Sequence, residues 1–209
     1  MNVKNTQDHY GWVAIALHWL MAPVVIGLFA LGWWMRQLSY YDPWYRQGPE
    51  LHKSIGVLLL VLLVLRLVWK LYNRSPAPEP GTPRWQQLGA RLAHGVIYLL
   101  LFAIGISGYL ISTADGRPIE VFDLFSLPAT IGGIPNQEDI AGEIHELLAW
   151  TLIALVALHA LAALKHHFID RDGTLRKILL PRRRPQPLET NDTDSQPKLS
   201  QPLNKRSIP

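Results

Sequence analysis

The sequence predicts an all-α membrane protein: a four-transmembrane-helix bundle with both termini cytoplasmic and a disordered C-terminal tail. Three observations predict it. Four apolar segments, Trp12–Met35 and residues 51–72, 88–112 and 143–168, are each long enough to cross ~30 Å of hydrocarbon as a helix. Most basic residues lie at the chain start, between the second and third segments and after the fourth, among them Lys70, Arg74, Arg84, Arg91, Lys165, Arg171, Arg176 and Lys177. The other two connecting segments hold Arg36, Arg46, Lys53 and Arg117 among several acids, so the positive-inside rule puts both termini in the cytoplasm. From about residue 185 the chain turns to Pro, Ser, Gln, Asn and Asp, which cannot bury a core. Residues 1–180 are thus expected to form the transmembrane domain, and residues 181–209 a basic, then disordered, tail.

In chain order, residues 1–11 are a polar lead in which Asp8 or His9 is placed to cap the first helix. The first helix carries His18 and Trp19 about two turns in, then Pro23, which can kink it, and Gly27 and Gly32, which allow close packing. The following loop holds Tyr40, Tyr41, Trp44 and Tyr45, an aromatic belt for the headgroup level. Pro49 sits where an opening turn tolerates it, and the second helix runs from His52 and Lys53 through a Leu/Val series to Arg66. Four prolines make residues 75–83 an extended connector. The third helix has Arg91 and His94 near its start and a patch of small residues, Gly105, Ser107 and Gly108, that a flat ring or a helix can approach. Residues 113–142 are long enough for a folded cap over the bundle. The fourth helix ends in Lys165-His166-His167, either a solvated basic end suited to the helix dipole or a proton relay.

Composition narrows the chemistry. A length of 209 residues suits one domain, and the absence of cysteine excludes disulfides, Fe–S clusters, thiol catalysis and covalent haem attachment. The net charge of +4 arises from residues flanking the apolar spans, so it reflects topology and not a nucleic-acid partner.

The histidines then acquire depths. His52 and His145 open the second and fourth helices at the outer surface. His18, His94 and His159 lie two to three turns in from the inner surface. His145 and His159 are fourteen residues apart, which returns a helix to within about 40° of one face and separates them by about 21 Å along the axis. Histidine is costly in lipid and marks function there. Opposed imidazoles, with no thiolate and no clustered carboxylate, suit the axial positions of haem iron better than a tetrahedral zinc site. The reading is two noncovalent b-type haems, each with two histidine ligands, which leaves no position open for oxygen and argues for electron transfer. His52 with His145 is the one pairing available at the outer level. At the inner level His159 can pair with His18 or with His94, and depth does not choose. Arg66, fourteen residues after His52, falls on nearly the same face at inner depth, where it can bind a haem propionate or snorkel to the headgroups.

The His18-Trp19 pair, the Leu-His-Lys-Ser-Ile-Gly run at residues 51–56 and the two histidines fourteen apart resemble the bacterial cytochrome b561 family. The same pattern is similar to that of the b-type subunits of membrane-bound hydrogenase and formate dehydrogenase. The resemblance covers roughly residues 8–180. It implies His18 with His159 as ligands of the inner haem and His52 with His145 as ligands of the outer one, with His94 left near a quinone headgroup or a propionate.

The function expected is a di-haem cytochrome that carries electrons across the bacterial inner membrane to or from ubiquinone or menaquinone, with a redox donor on the periplasmic side. One branch of the family resembled oxidises superoxide and passes the electron to ubiquinone. That activity wants a positive outer funnel, whereas the outer segments here also hold Asp42, Glu50, Asp115, Glu120, Asp123, Glu138 and Asp139. A third reading is an anchor and electron-relay subunit of a larger dehydrogenase, which the short inner connectors disfavour.

Overall fold

A computed structural model describes residues 2–179; the expected disordered tail lies outside the described residues. Four long helices, α1 (Trp12–Met35), α2 (Trp44–Tyr72), α3 (Arg84–Ser112) and α4 (Gln137–Phe168), make up the bundle. A hairpin of β1 (Ile119–Val121) and β2 (Phe125–Leu127) lies in the α3–α4 connection, and a short α5 (Thr174–Leu179) follows α4. All four long helices have the length and apolar composition to cross a membrane.

Three helices begin earlier than hydropathy indicates, and the reason is common to them. α2 starts at Trp44, α3 at Arg84 and α4 at Gln137, and their opening turns are polar or aromatic. An apolar window cannot see such turns, although Glu138 and Asp139 favour a helix start by facing the positive end of the dipole. Pro49 therefore lies inside α2 and not in its first turn. The first helix is not capped by Asp8 or His9 either: Gly11 holds the N-cap position without a side-chain bond, and Trp12 N–H donates to Asn2 C=O at 3.0 Å.

The helices pack as two close pairs, α1 with α2 and α3 with α4, while α1 and α4 meet sparingly. Where α1 and α4 do meet, the rings of Phe29 and Trp150 stand edge to face at 4.8 Å, and Arg36 pairs with Glu146. The small core is Met21, Leu59 and Leu63, wrapped by Val25, Leu28, Tyr98 and Phe102. Most other large apolar side chains face outward, as lipid-facing helices require.

One end of the bundle carries the hairpin; the other, the terminal end, carries the residues before α1 together with α5. At the hairpin end Ile119 and Val121 point inward and are buried, and the Ser54 hydroxyl donates to Glu120 C=O (3.3 Å) and accepts from Phe122 N–H (3.2 Å). The α3–α4 connection is thus a folded cap, as its length suggests. Gln137 ties the cap to α3 by donating to Leu110 C=O at 2.9 Å. The aromatic loop Tyr40–Tyr45 stands outward at the same end; Tyr41 is 92% exposed, suited to a headgroup belt.

At the terminal end three segments far apart in sequence meet. Asn5 donates to Arg74 C=O (3.1 Å), Ala77 N–H donates to Gln7 C=O (2.7 Å), and Lys177 donates to Ala77 C=O (2.9 Å) while pairing with Glu79 (2.8 Å). The Trp19 indole N–H reaches Ile178 C=O at 2.9 Å, which joins α1 to α5.

Candidate functional site

The histidines predicted to matter fall in two tiers on the helix axes. The hairpin-end tier holds His52 on α2 and His145 on α4, with ring centroids 6.2 Å apart and planes at 68°. The terminal-end tier holds His18 on α1, His94 on α3 and His159 on α4, gathered around Arg66 of α2. The fourteen-residue interval from His145 to His159 sets the tiers about 21 Å apart along α4.

The hairpin-end tier is built with care around each ring. His145 Nδ1 lies 3.1 Å from Ile104 C=O, and a carbonyl can only accept, so Nδ1 carries the proton. The Ser107 hydroxyl donates its own hydrogen to the same carbonyl (3.0 Å), and its oxygen therefore accepts from His145 Nδ1–H, also at 3.0 Å. This leaves the Nε2 lone pair of His145 free. His52 differs: its Nδ1 is buried and has no hydrogen-bond partner among the described residues.

Glycines from the neighbouring helices back both rings. A Cβ at Gly32 of α1 would sit 3.1 Å from His52 Cε1, and one at Gly108 of α3 would sit 3.2 Å from His145 Cε1. The predicted small-residue patch on α3 thus divides its work: Gly105 admits the Leu60 side chain of α2, and Ser107 and Gly108 receive His145. Gly27, by contrast, has nothing within 4 Å of a Cβ.

The donor set can be tested against a metal centre. An imidazole nitrogen binds a first-row metal at about 2 Å and lies roughly 1 Å from its ring centre, so two rings opposed across one metal have centroids about 6 Å apart. The 6.2 Å between His52 and His145 fits that separation, and one Nδ1 is already held so that Nε2 can ligate. The hairpin-end donors therefore fit a bis-imidazole haem.

The terminal-end tier is arranged differently. The rings of His94 and His159 meet edge to face at 5.1 Å, about 1 Å closer than rings opposed across a metal. His18 does not face a second imidazole as its nearest ring partner; its Nδ1 accepts from the Arg66 guanidinium at 3.1 Å. Arginine has no acceptor, so this contact places the proton of a neutral His18 on Nε2. A His18 that ligates through Nε2 would carry its proton on Nδ1 instead and give up the Arg66 bond. Arg66 also lies 5.9 Å from the centre of the Tyr98 ring, and Lys70 lies 4.7 Å from it, so two cations share one aromatic face. Arg66 is thus directed into the tier and is not extended toward the headgroups.

The basic end of α4 is a bonded turn. Lys165 pairs with Asp170 at 2.7 Å, and His166 Nδ1 lies 2.8 Å from Asp172 and 3.1 Å from Asp170. Partial burial pushes the Asp172 carboxyl up, but the Thr174 N–H and His166 outweigh it and hold that carboxyl below its usual range. His167 Nδ1 is buried without a partner among the described residues.

Ser107 and the two backing glycines lie against the hairpin-end rings, a placement that sequence reasoning did not find. Their small size was legible, but which ring each one faces depends on how the helices are rotated against one another.

The chain matches the profile described as prokaryotic cytochrome b561 over residues 9–180. It is 53% identical to cytochrome b561 homolog 2 of Escherichia coli (strain K12), an alignment that covers 86% of this chain and 95% of that one. It is 33% identical to the probable superoxide oxidase CybB of Yersinia pestis, over 84% of this chain and 97% of that one. Cytochrome b561 homolog 1 of Escherichia coli (strain K12) is 31% identical over 85% of this chain and 99% of its own length. With its four membrane-length helices, the chain belongs to the prokaryotic cytochrome b561 family of multi-pass bacterial membrane proteins that bind b-type haem.

Proposed function

We propose that the chain is a di-haem b-type cytochrome of the bacterial inner membrane that transfers electrons between its two faces, to or from ubiquinone or menaquinone. The observation that carries this reading is the pair of opposed imidazoles, His52 and His145, 6.2 Å apart inside a four-helix bundle. Haem supplies one-electron chemistry when bound. His52 and His145 would hold the outer haem between them and would so leave oxygen no place as a ligand. His18 and His159 hold the inner site, in keeping with the family resemblance. Arg66 stands where it can bind a propionate, and His94, in contact with the His159 ring, borders the same site. Residues 1–180 form this unit and residues 181–209 a cytoplasmic tail.

Both termini face the cytoplasm in this reading, because the basic residues of the N-terminal lead, the α2–α3 connector and α5 lie at one end of the bundle. A fluorescent protein fused to the C-terminus is expected to fluoresce, and a periplasm-dependent phosphatase inserted between β2 and α4 to be active. The reverse pattern overturns the orientation.

A second reading has a specific observation behind it, the 33% identity to a probable superoxide oxidase. In that reaction two superoxide anions each give up one electron and leave as oxygen, and the quinone takes both electrons and two protons to become quinol. The outer face offers superoxide little attraction here. Arg36 is paired with Glu146 and Arg117 with Asp115, and the acids at that end outnumber the remaining cations. Stopped-flow mixing of the purified protein in vesicles separates the readings. Ubiquinol or menaquinol alone is expected to reduce the haem bands rapidly. Quinol formation from superoxide and quinone above the uncatalysed rate would establish the second reading. Haem bands that no quinol or quinone changes would overturn both and leave an anchor subunit.

A further inference from the structure

The two tiers hold their imidazoles in opposite ways, and this has a consequence for the direction of electron flow. His145 donates Nδ1–H to two acceptors at once, Ile104 C=O and Ser107 Oγ. Donation from Nδ1 makes the ring more imidazolate-like, so Nε2 becomes a stronger ligand and favours the more oxidised metal. Ser107 is 4% exposed, and its own hydrogen is committed to Ile104 C=O, so it can act toward His145 only as an acceptor. Its place on α3, one residue before the glycine that backs the same ring, fixes both the tautomer and the orientation of His145. In the terminal-end tier the sense is reversed. The Arg66 guanidinium, beside the Tyr98 ring, remains a cation within the tier even where ligation through Nε2 ends its bond to His18 Nδ1, and among the described residues no carbonyl or hydroxyl accepts from Nδ1 of His18, His94 or His159. A cation held beside a metal site favours the reduced form.

We propose that Ser107 is a positioning residue that, together with the Ile104 carbonyl, makes the His52–His145 centre the lower-potential one of the two. Electrons then run downhill from the hairpin end to the terminal end. The inference rests on the haem reading above and adds to it the direction of flow and the residue that sets it.

Redox titration of the purified, haem-loaded protein, followed by optical and electron paramagnetic resonance spectra, tests this. Wild type is expected to show two midpoint potentials. His145→Ala is expected to lose the lower one. Ser107→Ala is expected to keep both haems, to move the lower potential upward with a change in the low-spin resonance of that centre, and to leave the higher one in place. Ser107→Thr, which keeps the acceptor oxygen, is expected to restore the wild-type values. Loss of one haem in Ser107→Ala with retention in Ser107→Thr also supports a role for the oxygen in holding His145. Two results overturn the inference: loss of the higher potential in His145→Ala, or unchanged potentials and resonances in Ser107→Ala. Full haem content in His145→Ala is the separate result that removes the haem reading itself.

Discussion

Replacement of His52 or His145 by alanine is expected to halve the haem bound per polypeptide, and replacement of both to cause no further loss. The two imidazoles would each supply one ligand to a single centre, since their 6.2 Å ring separation leaves room for one metal and no more. With either ring gone, the other would be the sole ligand, and the noncovalent group is expected to be released on purification. His18→Ala and His159→Ala are expected to remove the other half. His94→Ala is expected to keep both haems, since its ring lies against His159 at edge-to-face contact distance and not at the spacing of opposed ligands. Pyridine haemochrome stoichiometry on each purified variant measures this. Full haem in all four ligand variants would sink the assignment, and a half-loss in His94→Ala would reassign the inner pair.

The second large effect needs no change to a ligand. Gly108→Val is expected to lose the same haem as His145→Ala. A Cβ alone would stand 3.2 Å from His145 Cε1 and 3.5 Å from Nδ1, and the two methyls of valine extend further into the ring. The ring must rotate, which breaks the bonds of its Nδ1 to Ile104 and Ser107 and so releases the orientation they impose. Gly108→Ala should be milder, because a shift of a few tenths of an ångström accommodates one methyl. Gly27→Val is the control, for nothing lies within 4 Å of a Cβ there and both haems should remain. Haem content and the low-spin spectrum of the three variants decide the matter; a fully loaded Gly108→Val would show that the ring has room to spare.

What could be read in the sequence was whatever lies along a single helix. The fourteen-residue interval between His145 and His159 is a property of α4 alone, so the two tiers follow from rise and turn without any knowledge of packing. The four spans follow from apolar length in the same way. Relations between helices were harder. The closeness of His94 to His159, the turn of Arg66 onto His18 and the placing of Ser107 under His145 all depend on how each helix is rotated about its own axis. In a span that is apolar on every side, periodicity gives little indication of that rotation. The early starts of α2, α3 and α4 escaped because their opening turns are polar or aromatic, and the three-residue strands of the cap escaped for a different reason. Their stability comes from contacts such as that of Ser54 with Glu120 and Phe122, made by residues far away in the chain.

The stitching at the terminal end bears on how the molecule is put together. Asn5 to Arg74, Lys177 to Ala77 and Trp19 to Ile178 join positions 69, 100 and 159 residues apart. The α1–α2 and α3–α4 hairpins can each close as soon as they enter the bilayer, because their partners are neighbours in the chain. The bond from Trp19 to Ile178 cannot form until the last helix has been threaded and the ribosome has passed beyond it. Synthesis that runs from α1 to α5 is thus expected to close the helix hairpins first and the seam beside His18 last, where α1 and α5 meet.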